Sequence, residues 1–84
     1  MKNQFWMNLN SIEKAKDFAD IAASVSCEVD VCSGRYLVDG KSLLGLFSVD
    51  LSKPVRVIVH GTEEDLEKIS RMSKHLIVEQ EEEA

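Results

Sequence analysis

The chain has 84 residues, of which 44% are hydrophobic and 30% are charged, and its formal net charge is -5 at pH 7. This length predicts one domain with a small core, without room for a deep substrate cavity. The negative charge argues against a nucleic-acid partner, because phosphate binding requires a basic surface. No stretch approaches the ~18 apolar residues of a membrane span, and the N-terminus lacks the apolar segment of a signal peptide. We therefore expect a cytoplasmic protein that does not associate with membranes.

The charge distribution separates a domain, residues 1–78, from an acidic tail, residues 79–84. Four of the fifteen acidic residues lie in this tail, which leaves 11 acidic against 10 basic residues in the rest of the chain. The domain itself is therefore close to neutral. We interpret the tail as a frayed, solvated end, since a run of like charges at a terminus repels itself and does not pack.

The first elements are predicted to be a strand and a helix. Residues 5–9 alternate, with Phe5, Met7 and Leu9 on one face, as in a half-buried strand. A capping residue at Asn10, followed three positions later by Glu13, is typical of a helix start. Apolar residues then recur at helical spacing, and their small size favours a helix that lies close to a sheet: Ile12, Ala15, Phe18, Ala19, Ala22 and Ala23.

The middle of the chain predicts a hairpin. Two strands, 27–32 and 35–38, flank Ser33-Gly34, a pair typical of a two-residue turn. Such a turn would pair Cys32 with Arg35. Every second residue of the hairpin would then face the core.

The remaining elements are a short helix, a strand and a final helix. Residues 39–42 lead into an apolar helix at 43–47, Pro54 precedes a strand at 55–60, and Thr62 caps the last helix. The inner stripe of that helix is predicted as Leu66, Ile69, Met72 and Leu76. The order β-α-β-β-α-β-α indicates an α+β fold, with one antiparallel sheet, all helices on one face and the other face open to water.

The sequence gives no reason to expect a metal ion or a cofactor. Cys27 and Cys32 are an odd number of residues apart in a predicted strand, so they should point to opposite faces. We interpret them as two reduced thiols, because their spacing suits neither a mutual disulfide nor a metal site. The acidic residues of the first helix suit a solvated face better than an acid/base pair. We predict that the chain is not an enzyme.

The segment Gly40-Lys41-Ser42-Leu43-Leu44-Gly45-Leu46-Phe47-Ser48, together with the element order, resembles the bacterial histidine-containing phosphocarrier protein (HPr) of the sugar phosphotransferase system. That family has a Lys-Ser-Ile-Met-Gly-Val/Leu-Met-Ser pattern at the same place. The resemblance covers nearly the whole chain in element order and is strongest from Val38 to Ser48. It implies an open-faced two-layer sandwich with sheet order 1-4-2-3.

The resemblance fails where phosphocarriers bear their phosphate. The family has Gly-Leu-His-x-Arg-Pro-Ala at the start of its first helix, and the histidine nitrogen carries the phosphoryl group. In this chain Ser11 stands at the position of the histidine and Glu13 at that of the arginine. Neither His60, at the end of a strand, nor His75, late in the last helix, begins a helix. The chain is thus not expected to relay phosphate on histidine.

Ser42 matches a second site of the family, a serine that a dedicated kinase phosphorylates in many Gram-positive bacteria. The resemblance implies that phosphorylation of Ser42 switches binding to a regulator. The alternative is that Ser42 only caps the short helix. Both interpretations remain open at the level of sequence.

Two surfaces are candidates for binding a protein partner. The first lies around Ser42 and comprises Lys41, Leu43 and Phe47, with Leu46 expected to be buried. The second is the open face of the sheet, with Trp6, Leu37 and Ile58. We favour the first and predict a regulatory, protein-binding module that is a monomer or a weak homodimer. The alternatives are a phosphocarrier with a non-standard site and a self-associating structural protein.

Overall fold

The computed structural model describes residues 3–79, which form four strands and three helices. Of the predicted acidic tail, only Glu79 lies within the described residues. Within residues 3–79, no helix is both long and apolar enough to cross a membrane. The elements in chain order are β1 Gln4–Met7, α1 Ile12–Ala23, β2 Glu28–Ser33, β3 Tyr36–Asp39, α2 Leu43–Phe47, β4 Val55–His60 and α3 Glu63–Met72.

The four strands form one antiparallel sheet in the order β1-β4-β2-β3, which confirms the predicted fold class and strand order. The alternation along β4 shows how the two faces differ. Val55, Val57 and Val59 are buried, whereas Arg56 and Ile58 between them are only half-buried. One face of the sheet therefore packs on the helices, and the other forms the open outer face.

The bounds of β1, β2 and β3 differ from the predicted strands 5–9, 27–32 and 35–38. β1 ends at Met7, opposite the first residue of β4, and does not reach Leu9, although Leu9 is buried in the core. The turn of the β2–β3 hairpin is Gly34-Arg35, so Ser33 pairs with Tyr36 and the predicted pairing of Cys32 with Arg35 was wrong. Gly34 has a φ of 62°, and no other described residue has a positive φ. A two-residue turn with a positive φ at its first position only is of type II′, which requires glycine at that position.

The predicted inner stripe of α1 was wrong at its two ends. Ile12 is 68% exposed and Ala23 is also exposed, whereas Ile21 is buried. Ile12 occupies the first turn, directly after the N-cap Ser11, and lies outside the buried stripe. Helical spacing identifies a stripe but does not show how far the packing partner extends along it.

The predicted stripe of α3 was wrong at Met72, and His75 does not lie within the helix. The helix ends at Met72, which is 40% exposed, and Ser73 is its C-cap. Ser73 is buried, and its hydroxyl donates to the carbonyl oxygen of Ile69. This bond lets a polar residue occupy a core position, because its hydroxyl is satisfied within the last turn.

A close contact between α1 and the β3–α2 connection fixes how the layers meet. Phe18 of α1 is fully buried, and a Cβ atom at Gly40 would lie 3.1 Å from the Phe18 ring. The same Cβ would lie 3.0 Å from the carbonyl oxygen of Val29. Gly40 thus lets the chain pass directly beneath the aromatic ring.

We predict that Phe18→Leu lowers the free energy of unfolding by about 1–3 kcal/mol, because it leaves space in a closely packed core. Ile12→Ala on the same helix should change it by less than about 0.5 kcal/mol, since most of the Ile12 side chain is already in water. Urea denaturation measures both free energies of unfolding, provided that the slope of the free energy against urea concentration is the same for all variants. Equal losses for the two variants would contradict the assignment of Ile12 to the surface.

Candidate protein-docking site

The start of α1 offers a hydroxyl and a carboxylate. Ser11 is the N-cap, so the prediction of Asn10 was wrong, and the Oγ of Ser11 accepts a hydrogen bond of 3.1 Å from the backbone N–H of Lys14. Glu13 lies exposed in the first turn, where an acidic side chain is favoured by the helix dipole. The pattern of a cap followed by an acidic residue explains both positions as features of a helix start.

His60 lies far from the start of α1. The chain enters α1 after β1, whose last residue Met7 pairs with Val55 at the beginning of β4. His60 ends β4, five residues further along, at a distance of about 16 Å for an extended strand. Its Nε2 lies 2.9 Å from Oδ2 of Asp30 on the outer face.

His75 is also held away from the start of α1. It lies beyond the end of α3, and its Nε2 is hydrogen-bonded to Oδ2 of Asp17. Asp17 is six residues after Ser11, which corresponds to about 9 Å along a helix. An imidazole therefore does not occupy the position of Ser11, and each histidine has an acidic partner elsewhere.

Ser42 is the N-cap of α2. Its Oγ accepts a hydrogen bond of 3.0 Å from the backbone N–H of Gly45, and the residue is half-buried. A Cβ atom at Gly45 would lie 3.3 Å from that oxygen, so glycine gives the capping hydroxyl room. At the other end, the hydroxyl of Ser48 donates to the carbonyl oxygen of Gly45 at 2.6 Å. Serine side chains thus close both ends of a helix of five residues.

α2 buries one side and exposes the other. Leu46 is fully buried, and Leu43 is half-buried against the core. Leu44 and Phe47 are 84% and 46% exposed. We name Leu43, Leu44 and Phe47 the helix patch. Leu43 and Phe47 were predicted from the sequence and Leu44 was not, although the spacing of three residues from Leu44 to Phe47 places both on one helix face.

Lys41 has a structural contact that the sequence did not reveal. Its Nζ donates a hydrogen bond of 2.7 Å to the carbonyl oxygen of Val25, just after α1. Its backbone N–H donates to Oδ1 of Asp39 at 2.9 Å. The ammonium group therefore ties the end of α1 to the beginning of α2 and is less available to a partner at the candidate docking site than the sequence implied.

The outer face of the sheet has fewer exposed apolar atoms than the sequence implied. Trp6 and Ile58 are half-buried, while Leu37 is 60% exposed. Between them lies Arg56, whose Nη2 is 3.9 Å from the sulfur of Cys32. Within residues 3–79, the buried Nε of Arg56 has no hydrogen-bond partner. A charged side chain thus interrupts the apolar residues of this face.

The cysteines are free thiols in this structure. Burial raises the pKa of the Cys27 thiol, and the neighbouring Asp65 carboxylate raises it further. Asp65 accepts a hydrogen bond of 3.0 Å from the backbone N–H of Thr62, which lowers the pKa of its carboxyl group and keeps it ionised. A thiol with a raised pKa is a poor nucleophile at neutral pH. Within residues 3–79, no three His, Cys, Asp or Glu side chains are grouped to hold a metal ion.

Comparison with known proteins finds similarity only among solved structures. No protein-family model and no curated protein matches the chain. Two similar structures are a histidine-containing phosphocarrier protein from Mycoplasma, with a TM-score of 0.66 and 11% identity, and HPr-C-His from Thermoanaerobacter tengcongensis, with a TM-score of 0.62 and 20% identity. The alignments cover 86% and 88% of this chain, and 92% and 86% of the other two chains respectively. The chain therefore has the HPr fold, as its resemblance to that family implied, and identity this low shows the fold alone.

We predict that Ser42→Ala lowers the free energy of unfolding by about 1 kcal/mol, because the Gly45 N–H loses its acceptor. Ser42→Asp should retain most of that stability, since aspartate caps about as well as serine. Chemical denaturation measures both variants, with Ser48→Ala as a control at the opposite end of α2. An Asp variant as unstable as the Ala variant would exclude a capping role for the side chain.

Proposed function

We propose that this chain is a regulatory, protein-binding module that does not carry phosphate on histidine and docks on a partner protein through the helix patch. The observation that supports it best is the exposure of Leu44 and Phe47 on a helix capped at both ends. Exposed apolar side chains that lie together on a rigid element are typical of a protein interface. Phe47 has the size and rigidity of an interface anchor.

The chemistry at the start of α1 supports a role without phosphoryl transfer on histidine. A phosphoramidate requires an imidazole nitrogen, and Ser11 offers only a hydroxyl that already accepts the Lys14 N–H. The nearby carboxylate of Glu13 would repel an incoming phosphate, whereas an arginine would bind it. The two solved structures named above carry the name of a histidine-containing phosphocarrier or HPr, but this helix start lacks the group that their name describes.

Ser42 is the proposed switch of the docking site. A phosphate on its Oγ would carry a charge of about −2 directly before the helix patch. The positive end of the α2 backbone dipoles and the unpaired N–H groups of the first turn would stabilise that charge. The modification would turn the rim of an apolar surface into an anionic one. A partner with arginine or lysine beside an apolar groove would then gain affinity.

We predict that Phe47→Ser weakens binding of the partner captured from native cell extract by about fivefold or more, the loss expected when an interface anchor is removed. Met72→Gln serves as a matched control, because Met72 is a similarly exposed apolar side chain on α3. Trp6→Thr tests the outer face and should have little effect. Quantitative titration of the purified partner against each immobilised variant measures the three affinities.

Two outcomes would contradict the proposal, the second of which adds Ser42→Asp to the same titration. Loss of binding on Trp6→Thr with unchanged binding on Phe47→Ser would place the site on the outer face. The wild-type chain and Ser42→Asp could bind the partner with equal affinity, and mass spectra of the protein from native cells could show Ser42 unmodified. Ser42 would then be a helix cap only. Circular dichroism of every variant confirms that the fold is intact.

We predict that the chain accepts no phosphate from phosphoenolpyruvate through the general enzyme of the phosphotransferase system. The reason is the absence of an imidazole at the start of α1. Incubation with radiolabelled phosphoenolpyruvate and the enzyme, followed by acid treatment of the separated chain, is the measurement. An ordinary HPr in the same reaction is the positive control.

Acid-labile label on this chain would disprove the prediction and favour a phosphocarrier with a non-standard site. His60→Gln and His75→Gln variants would then identify the acceptor. Label that survives acid would instead indicate a phosphoserine, which Ser11→Ala and Ser42→Ala would distinguish.

A further inference from the structure

One edge of the sheet is covered by backbone hydrogen bonds from another part of the chain, and the other edge is not. Along β1, the chain after α3 covers the edge: the backbone N–H of Asn8 donates to Leu76 and that of Val78 donates to Trp6, each at 2.8 Å. Along β3, the described residues provide no such cover. An uncovered strand edge is a template for pairing with another strand.

The backbone N–H and C=O groups of successive β3 residues point alternately towards β2 and towards the solvent. Ser33 pairs with Tyr36 across the turn, so Tyr36 and Val38 direct their backbone groups towards β2. The backbone N–H groups of Leu37 and Asp39 consequently point outwards. Among residues 3–79, neither of these two N–H groups donates to a protein acceptor.

The side chains of this edge are unusually apolar. Tyr36 is 64% exposed on the helix side of the sheet, and Leu37 is 60% exposed on the outer face. Natural edge strands commonly carry lysine, proline or a bulge, which discourages pairing. Within β3 the only charged residue is Asp39, and Arg35 lies just before the strand.

We propose that β3 pairs antiparallel with β3 of a second copy of this chain, with the two-fold axis at Leu37. In this register Leu37 faces its symmetry mate, and Tyr36 faces Val38 of the second copy. Arg35 faces Asp39 of the second copy, and the symmetry generates each of these pairs twice. Opposite charges, an aromatic and a β-branched residue, and two leucines are all favourable cross-strand pairs.

Charge complementarity favours this register over the two adjacent ones, which have their axes at Tyr36 and Val38. Centring the axis on Tyr36 places Arg35 opposite Leu37 of the second copy. Centring it on Val38 places Asp39 opposite Leu37 and Arg35 opposite Lys41, a like-charge pair. Only the axis at Leu37 opposes Arg35 to Asp39.

The pairing would join two sheets into one of eight strands, with the helices of both copies on the same side. Because α2 contacts β3, it would bring the two helix patches close to the axis. The interface is one strand wide, so the dimer should be weak and should form in a concentration-dependent manner. The dimer does not depend on the proposed function of the helix patch.

The test is sedimentation equilibrium over a range of concentrations, combined with amide exchange. The apparent mass should rise above the 9.4 kDa of one chain as concentration increases. Exchange of the Leu37 and Asp39 N–H groups should slow in parallel. Arg35→Asp opposes two carboxylates and Asp39→Arg opposes two guanidinium groups, so each should weaken the dimer about tenfold.

The double variant Arg35→Asp with Asp39→Arg restores opposite charges and should return the dimer to within about threefold of wild-type affinity. Asp39→Arg also removes the acceptor of the Lys41 N–H. That bond is absent from the double variant as well, so recovery in the double variant must come from the restored pair. A constant mass of 9.4 kDa, a dimer with unchanged Leu37 exchange, or a double variant no better than the singles would each overturn the proposal.

Discussion

The contact between Phe18 and Gly40 is the constraint on which the rest of the structure depends. The aromatic ring fills the space between α1 and the sheet, and only a residue without a Cβ lets the chain pass beneath it. The backbone N–H of Gly40 also donates to the carbonyl oxygen of Val29 at 2.7 Å, which ties the passage to β2. The next two residues, Lys41 and Ser42, are therefore placed by the core. Ser42 is the N-cap of α2, so the core also sets where α2 starts.

The C-terminal end of α1 explains how the three helices are held together. α1 has no basic residue in its last turn, although its final carbonyl groups carry a partial negative charge. Two lysines from other elements bind this end: Lys68 donates to the carbonyl oxygen of the C-cap Ser24 at 3.1 Å, and Lys41 donates to that of the next residue, Val25, at 2.7 Å. The same electrostatic requirement thus attaches both the start of α2 and the body of α3 to one end of α1.

Local signals in the sequence predicted α2 and β4 to the residue, because Ser42 and Pro54 mark boundaries that depend on neighbouring backbone alone. The hairpin register depended on the φ of Gly34, which spacing does not reveal. The pairs that span the chain, such as His75 with Asp17, were also beyond prediction, because nothing local links residues so far apart. At the candidate site the residue types were visible in the sequence, but the role of Lys41 required its tertiary partner.

Because α2 has only five residues, it depends on contacts with the rest of the chain, and these contacts leave one side of the helix exposed. An isolated helix of five residues does not form in water, because nucleation costs more than so few hydrogen bonds return. In this chain the buried Leu46 and the two serine caps hold the helix, and these contacts use one side and both ends. Leu44 and Phe47 are 84% and 46% exposed, so much of their apolar surface remains in water. The way in which α2 is held therefore leaves apolar side chains at the surface, as the proposed docking on a partner requires.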